Sequence, residues 1–193
     1  VLQIRDMLKE IIGLQNVTMT SSCTGSLIMA LKIAGVKPGD EVIAPSMTCV
    51  ATNVSTEWLG AKTVWSDINY ETGNIDVDDV IKKITEKTKA ILAVPMWAPV
   101  DYDAIVKICL KYDLVLIEDS AQCVLGYIDG QLVGTFGDMA SWSFENKKHI
   151  STGEGGMVTT DNKEYGTIIR KHGGLGYKTL QAGQSLRQLL PKD

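Results

Sequence analysis

The sequence lacks the features that mark several classes of protein. Its four cysteines, Cys23, Cys49, Cys109 and Cys123, are far apart and form no C-x-x-C pair. This argues against a zinc cluster or a disulfide framework, so we expect no metal site and reduced thiols in a cytoplasmic protein. No apolar run approaches the ~18–20 residues that span a bilayer, and no basic-then-apolar signal pattern opens the sequence. We expect no membrane anchoring.

Charge and glycine patterns exclude two further classes. The net charge is -4, and the lysines and arginines are scattered rather than gathered on one stretch. Nucleic acid is therefore not an expected partner. No G-x-G-x-x-G follows the first predicted strand, which disfavours a nicotinamide-binding domain.

Short apolar strands alternate with amphipathic helices along the chain, which predicts an α/β domain with a largely parallel sheet flanked by helices. An Asp-Gly turn within 127–133 predicts a hairpin. We expect a single domain over 1–193, in which residues 173–193 form a mobile loop or an edge that packs on further sequence. Predicted strands are 17–20, 41–44, 62–65, 90–95, 114–117, 140–144 and 157–160; predicted helices are 1–13, 24–34, 50–59, 77–84, 101–112 and 163–171.

Three turns after predicted strands carry polar residues where ligands of open α/β sheets collect. The first, Ser21–Ser26, is small and polar and opens a helix. This turn would suit an anion such as phosphate, because a helix N-terminus offers free N–H groups, the Ser and Thr hydroxyls add donors and glycine permits close approach. Ordinary N-capping by Ser or Thr explains the same residues equally well.

The second turn, Glu118–Gln122, follows the most apolar predicted strand. The Asp119 carboxylate could accept a hydrogen bond from a protonated ring nitrogen of a cofactor. A cap for the next helix is the alternative.

The third turn, Ser143–Gly156, holds Lys147 and Lys148 in a glycine-rich stretch between two apolar strands. Partial desolvation there would make a lysine more nucleophilic. Ordinary surface charge is the alternative for both lysines. A phosphate cradle, an acid for a ring nitrogen and an amine for an aldehyde are together what pyridoxal phosphate (PLP) requires.

Six segments in this order carry a family likeness: Ser22–Leu27, Pro38–Pro45, Gly60–Lys62, Ile117–Gln122, Gly134–Asp138 and Ser143–Met157. They resemble the sugar aminotransferases of the DegT/StrS type, which are fold-type-I PLP enzymes. The resemblance covers nearly the whole chain. It implies the family's three-layer α/β/α large domain and PLP as the cofactor.

The resemblance implies that Lys148 is the catalytic lysine that forms a Schiff base with PLP, because the family places that lysine five residues after the serine corresponding to Ser143. Lys147 does not match. A related branch carries histidine at the lysine position and removes a sugar hydroxyl instead of transferring an amine. Here His149 comes one place later, so transamination is favoured over dehydration.

Further cofactor contacts follow from the same resemblance. Thr24, the Gly25 amide and Ser143 would bind the phosphate, Asp119 would pair with the pyridine nitrogen, and Gln122 would lie near the ring hydroxyl. The position after Thr48, where members often carry a stacking aromatic ring, holds Cys49. A thiol contact there covers far less of the ring.

The resemblance also implies an activity and an assembly. The expected reaction moves an amino group from an amino acid, glutamate in the first instance, to a keto group on a nucleotide-linked deoxysugar. The family builds its active site across a homodimer interface and continues into a second, smaller domain, so we expect this sequence to be a fragment or a truncated product. A catalytically incomplete PLP-binding or interaction protein of the same fold is the alternative.

Overall fold

A computed structural model describes residues 2–96 and 98–173. The helices are α1 (Leu2–Ile12), α2 (Cys23–Ile33), α3 (Val50–Glu57), α4 (Val77–Lys83), α5 (Tyr102–Tyr112) and α6 (Lys163–Gly173). The strands are β1 (Asn16–Thr20), β2 (Glu41–Pro45), β3 (Lys62–Ser66), β4 (Thr88–Ala93), β5 (Val115–Asp119), β6 (Tyr127–Ile128), β7 (Gln131–Leu132), β8 (Met139–Ser143) and β9 (Gly156–Thr160). Gly173 ends α6, and the rest of the expected C-terminal loop lies outside the described residues.

Within these residues, seven strands form one sheet in the order β1-β9-β8-β5-β4-β2-β3. The run from β8 to β3 is parallel, whereas β9 is antiparallel to both β1 and β8. The expectation of a mostly parallel α/β sheet is confirmed. Because every strand of this sheet except β9 points the same way, their carboxyl ends meet at one edge.

Helices cover both faces of the sheet, as the alternation along β4 shows. Ala90 and Leu92 pack into one apolar cluster with residues of α2 and α6. Ile91 and Ala93 point the other way, into a second cluster with residues of α4 and α5. A strand that is buried on both faces has a continuous apolar sequence, and the sequence of β4 fits this pattern.

Element boundaries differ from the sequence prediction by a few residues, and one difference concerns the site. Strand β5 runs on to Asp119 instead of ending at Ile117, because Glu118 and Asp119 pair with Ala140 and Ser141 of β8. The polar end of β5 therefore belongs to the sheet itself. Both side chains are held by a regular strand rather than by a loop.

The predicted hairpin is confirmed as β6 and β7, which are antiparallel. Its turn residues Asp129 and Gly130 have φ of 50° and 82°. Positive φ at both central residues is what a type I′ turn requires, and Asp-Gly is a favoured pair for it.

A buried carboxylate joins this hairpin to the sheet. Glu118 is fully buried, and its Oε2 accepts a hydrogen bond of 2.7 Å from the Gly134 amide. Its Oε1 accepts bonds of 2.7 Å from the amides of Phe136 and Gly137. Burial raises the pKa of this carboxyl, and the three amide donors oppose that rise. Glu118 thereby fixes the segment that leads into β8.

Replacing Glu118 by Gln tests this anchor. The amide keeps one oxygen and puts an NH2 group where the other oxygen stood, so at least one buried N–H loses its acceptor. We expect the free energy of unfolding in urea to fall by about 1–3 kcal/mol. Glu86→Gln, at an exposed glutamate, is the matched control and should leave stability within about 0.5 kcal/mol. Equal stability of the two variants would contradict the anchor.

Candidate functional site

A cavity of about 290 Å³ opens at the carboxyl edge of the sheet. It is bordered by the β1–α2 turn, the loop before α3, the end of β5 and the β8–β9 loop. Its polar lining consists of Ser22, Cys23, Thr24, Thr48, Cys49, Thr52, Asp119, Gln122, Ser143, Glu145, Lys148 and Glu154. Residues distant in sequence thus meet at one place.

The β1–α2 turn brings the start of α2 to the cavity. Ser22 is the N-cap of α2, and its Oγ accepts a hydrogen bond of 3.1 Å from the Gly25 amide. Thr24 lines the cavity, whereas Gly25 is not among the lining residues. Ser22 therefore caps α2, as the N-capping alternative expected. An anion bound at this end of the helix would have to share the Gly25 amide proton with Ser22.

Strand β9 packs directly against that turn. A Cβ on Gly156 would lie 2.6 Å from the Cys23 backbone nitrogen, closer than real Cβ atoms approach other atoms. Only glycine fits this contact without a shift of the backbone. The close approach fixes the start of α2 relative to β8 and β9.

Asp119 lies at the end of β5 and is 4% exposed. Its Oδ2 accepts a hydrogen bond of 2.7 Å from the Thr52 hydroxyl, and its Oδ1 accepts one of 3.1 Å from the Ala121 amide. The Cys23 thiol makes a longer contact of 3.7 Å with Oδ1. Burial raises the pKa of Asp119, while the Thr52 hydrogen bond and then the other donors lower it.

Lys148 lies on the β8–β9 loop and is half-buried. Its Nζ donates to Gln122 Oε1 at 3.3 Å, and its amide donates to the Glu145 carbonyl at 3.0 Å. Its neighbours Lys147 and His149 are exposed. Of the three adjacent basic residues, the structure places Lys148 at the cavity, so the surface-charge alternative describes Lys147 better than Lys148.

The remaining sequence-predicted residues surround the same space. Ser143 is the last residue of β8 and is buried, and Gln122 ends the 3-10 turn Ser120–Gln122 that follows β5. Cys49 is exposed at the N-cap of α3, where its side chain makes no capping hydrogen bond. Its thiol lines the cavity and is exposed.

Sequence reasoning missed two residues that contact Asp119. Burial, then the Asp119 charge, holds the pKa of the Cys23 thiol well above its usual range, so this thiol is a neutral donor to the carboxylate. Thr52 is fully buried in α3 and lies 67 residues from Asp119 in sequence. The available signal was the Thr48/Thr52 spacing of four residues, which puts two hydroxyls on one side of a helix start.

Each of three groups at the cavity suits a different chemical partner. The half-buried amine of Lys148 suits a carbonyl carbon, and the buried carboxylate of Asp119 suits a protonated ring nitrogen. The N-terminus of α2 suits an anion. In the described part of the chain, no group of His, Cys, Asp and Glu could hold a metal ion. No helix there is long and apolar enough to cross a membrane.

Comparison with known proteins agrees with this chemistry. GDP-perosamine synthase of Escherichia coli O157:H7 is 41% identical over 150 residues, which is 77% of this chain and 41% of that protein. The crystal structure of an aminotransferase from Psychrobacter cryohalolentis matches with a TM-score of 0.85 and 32% identity, covering 95% of this chain and 49% of that one.

A second solved structure carries the cofactor. It is E. coli GDP-4-keto-6-deoxy-D-mannose-3-dehydratase with bound hydrated PLP, which has a TM-score of 0.80 and 30% identity and covers 89% of this chain and 46% of that one. The chain thus spans less than half the length of these relatives. The sequence model of the DegT/DnrJ/EryC1/StrS aminotransferase family matches residues 1–189, and the chain belongs to that family.

Proposed function

We propose that this chain binds PLP and forms the cofactor-binding half of a nucleotide-sugar aminotransferase. The observation that carries the proposal is the meeting of Lys148, Asp119, Thr24 and Ser143 around one cavity. These four residues come from three separate segments, because Ser143 and Lys148 both belong to the end of β8 and the loop after it, and each has the chemistry that one part of the cofactor needs. When bound, PLP supplies an aldehyde that takes up an amino group and a ring that withdraws electrons from the substrate carbon.

The residues at the cavity fit this cofactor. Lys148 would hold it covalently, and its Nζ, once released, would move a proton to and from the α-carbon of the amino donor. Gln122 keeps the Nζ atom in place through their 3.3 Å contact. Lysine at this position favours amine transfer over the sugar dehydration of the histidine branch.

Asp119 and the start of α2 would hold two different parts of the cofactor. The buried carboxylate of Asp119 would keep the ring nitrogen protonated, which sustains electron withdrawal during the reaction. Thr24, Ser143 and the N–H groups at the start of α2 would bind the phosphate. Cys49 would leave the outer face of the ring less covered than an aromatic side chain would.

The proposal for the substrates rests on the relatives rather than on the cavity. We propose an amino acid, glutamate in the first instance, as amino donor and a nucleotide-linked keto-deoxysugar as acceptor. Support comes from relatives named for such reactions, including dTDP-4-dehydro-2,3,6-trideoxy-D-glucose 4-aminotransferase of Saccharopolyspora spinosa, which is 38% identical over 158 residues. We further propose a homodimer with a shared active site.

A second candidate is a catalytically incomplete PLP-binding or interaction protein of this fold. Its support is the exposed Cys49, which stands where members of the family often carry a stacking aromatic ring. The two candidates share the cofactor site and differ in turnover. Exposure of the PLP-loaded protein to glutamate separates them.

The first test locates the cofactor. We expect borohydride reduction of the PLP-loaded protein to fix the cofactor on Lys148, as read by peptide mass spectrometry. Lys148→Ala should remove both the adduct and the absorbance band of lysine-bound cofactor, because no other residue in the described part of the chain brings an amine to the cavity. Lys147→Ala is the matched control and should retain both. An adduct on Lys147, or one that persists in Lys148→Ala, would overturn the assignment.

The second test concerns Asp119. In the wild type we expect glutamate to bleach the band of lysine-bound cofactor. Asp119→Asn should keep the adduct but slow the bleaching by about 100-fold, because an amide cannot stabilise the ring-nitrogen proton electrostatically. Asp129→Asn, in the exposed hairpin turn, is the control and should react as the wild type does. A wild-type protein that carries the adduct and never bleaches would favour the catalytically incomplete candidate.

A further inference from the structure

Two threonine hydroxyls connect the cavity to the buried carboxylate of Asp119. The Thr48 Oγ1 lies 3.0 Å from the Thr52 Oγ1, which in turn lies 2.7 Å from Asp119 Oδ2. Thr48 is half-buried and lines the cavity, while Thr52 is fully buried. The three side chains form one continuous hydrogen-bonded row.

The direction of these hydrogen bonds follows from proton counting. An ionised carboxylate has no proton, so Thr52 must donate to Asp119. A hydroxyl has one proton, so Thr52 cannot also donate to Thr48, and Thr48 must donate to Thr52. The Thr48 oxygen is then left with lone pairs for the cavity and no proton to offer it.

The other donors to Asp119 act on its second oxygen. The Ala121 amide and the Cys23 thiol both contact Oδ1. A thiol at 3.7 Å is a weak donor, and the amide is part of the backbone. The Thr52 hydroxyl is thus the strongest side-chain contact of Asp119 in the described residues, and it is shorter than the other two.

We propose that Thr52 is a positioning residue for Asp119, holding the carboxylate in one rotamer and in its ionised form, with Thr48 setting the direction of the Thr52 hydroxyl. The inference rests on the proposed function, because the carboxylate so held is the one assigned to the ring nitrogen. Loss of the Thr52 hydroxyl leaves Oδ2 of this buried carboxylate without its short donor. The ionised form then becomes harder to maintain.

Among the described residues, the Cys23 thiol of α2, the Lys148 amine of the β8–β9 loop and the Tyr102 phenol of α5 interact electrostatically with Asp119. Cys49, Glu145 and Glu154 line the same cavity and, like Lys148, are unchanged by the substitutions. Burial holds the pKa values of Cys23 and Tyr102 well above their usual ranges, so both stay neutral while Asp119 titrates. Lys148 is common to all variants compared below. A change in the Asp119 titration therefore reports on Thr52.

The experiment compares Thr52→Val, which is nearly isosteric, with Thr52→Ser, which keeps the hydroxyl. Thr56→Val is the matched control, since Thr56 is also fully buried in α3 and its hydroxyl has no hydrogen-bond partner among the described residues. The Asp119 carboxyl is followed by carbon-13 NMR in the cofactor-free protein, with Asp119→Asn to assign its signal. Affinity for PLP is measured in parallel by equilibrium dialysis, and circular dichroism verifies folding.

We expect Thr52→Val to raise the midpoint of the Asp119 titration by about one pH unit and to weaken PLP binding up to roughly tenfold. Thr52→Ser should restore both values, and Thr56→Val should match the wild type. If Thr52→Val does not fold, Thr52→Ala replaces it with the same expectation.

An unchanged midpoint in the folded variant would overturn the inference, even where PLP binds normally. A wild type that takes up no PLP would instead count against the proposed function, while the titration still decides the role of Thr52.

Discussion

The site depends on two consecutive carboxylates at the end of the central strand β5. Successive side chains of a strand point to opposite faces of the sheet, so Glu118 and Asp119 face different surroundings. Glu118 accepts three backbone amides and fixes the segment that leads to β8. Asp119 faces the cavity and is held by Thr52 and Ala121. The end of β5 therefore both anchors the segment that leads to β8 and orients the Asp119 carboxylate at the cavity.

Both carboxylates are buried, and burial alone opposes their ionisation. The structure offsets this cost with hydrogen-bond donors supplied by rigid elements. For Glu118 three of these are backbone amides of one segment. For Asp119 they include side chains from α2 and α3, so its charge depends on how the helices pack. Positions far from Asp119 in sequence can thus alter the ionisation of its carboxylate.

Much of this arrangement could be predicted from the sequence. The alternation of apolar strands and helices indicated the fold class, and the Asp-Gly pair indicated the hairpin. The turns with Thr24, Asp119 and Lys148 were found because parallel strands bring their carboxyl ends together. The choice between Lys147 and Lys148 required the resemblance to a family, since neither residue type nor spacing separates two adjacent lysines.

Other features could not be predicted, for physical reasons. N-capping and anion binding were equal alternatives for the first turn, and the choice of Ser22 as the cap that engages the Gly25 amide depends on its rotamer. The contact of Thr52 with Asp119 joins residues that are 67 positions apart, so the Thr48/Thr52 spacing alone could not identify Asp119 as the partner. Thr56, one turn further along α3, looks the same in sequence and has no partner among the described residues. Only tertiary packing distinguishes the two.

Asp119 is proposed to hold the protonated ring nitrogen of the cofactor in the cavity that Lys148 also lines. The most direct measurement is the nitrogen-15 chemical shift of labelled PLP bound to the protein, compared with that in Asp119→Asn. We expect the shift of a protonated pyridinium in the wild type and that of a neutral pyridine in the variant. A neutral pyridine in the wild type would contradict the account.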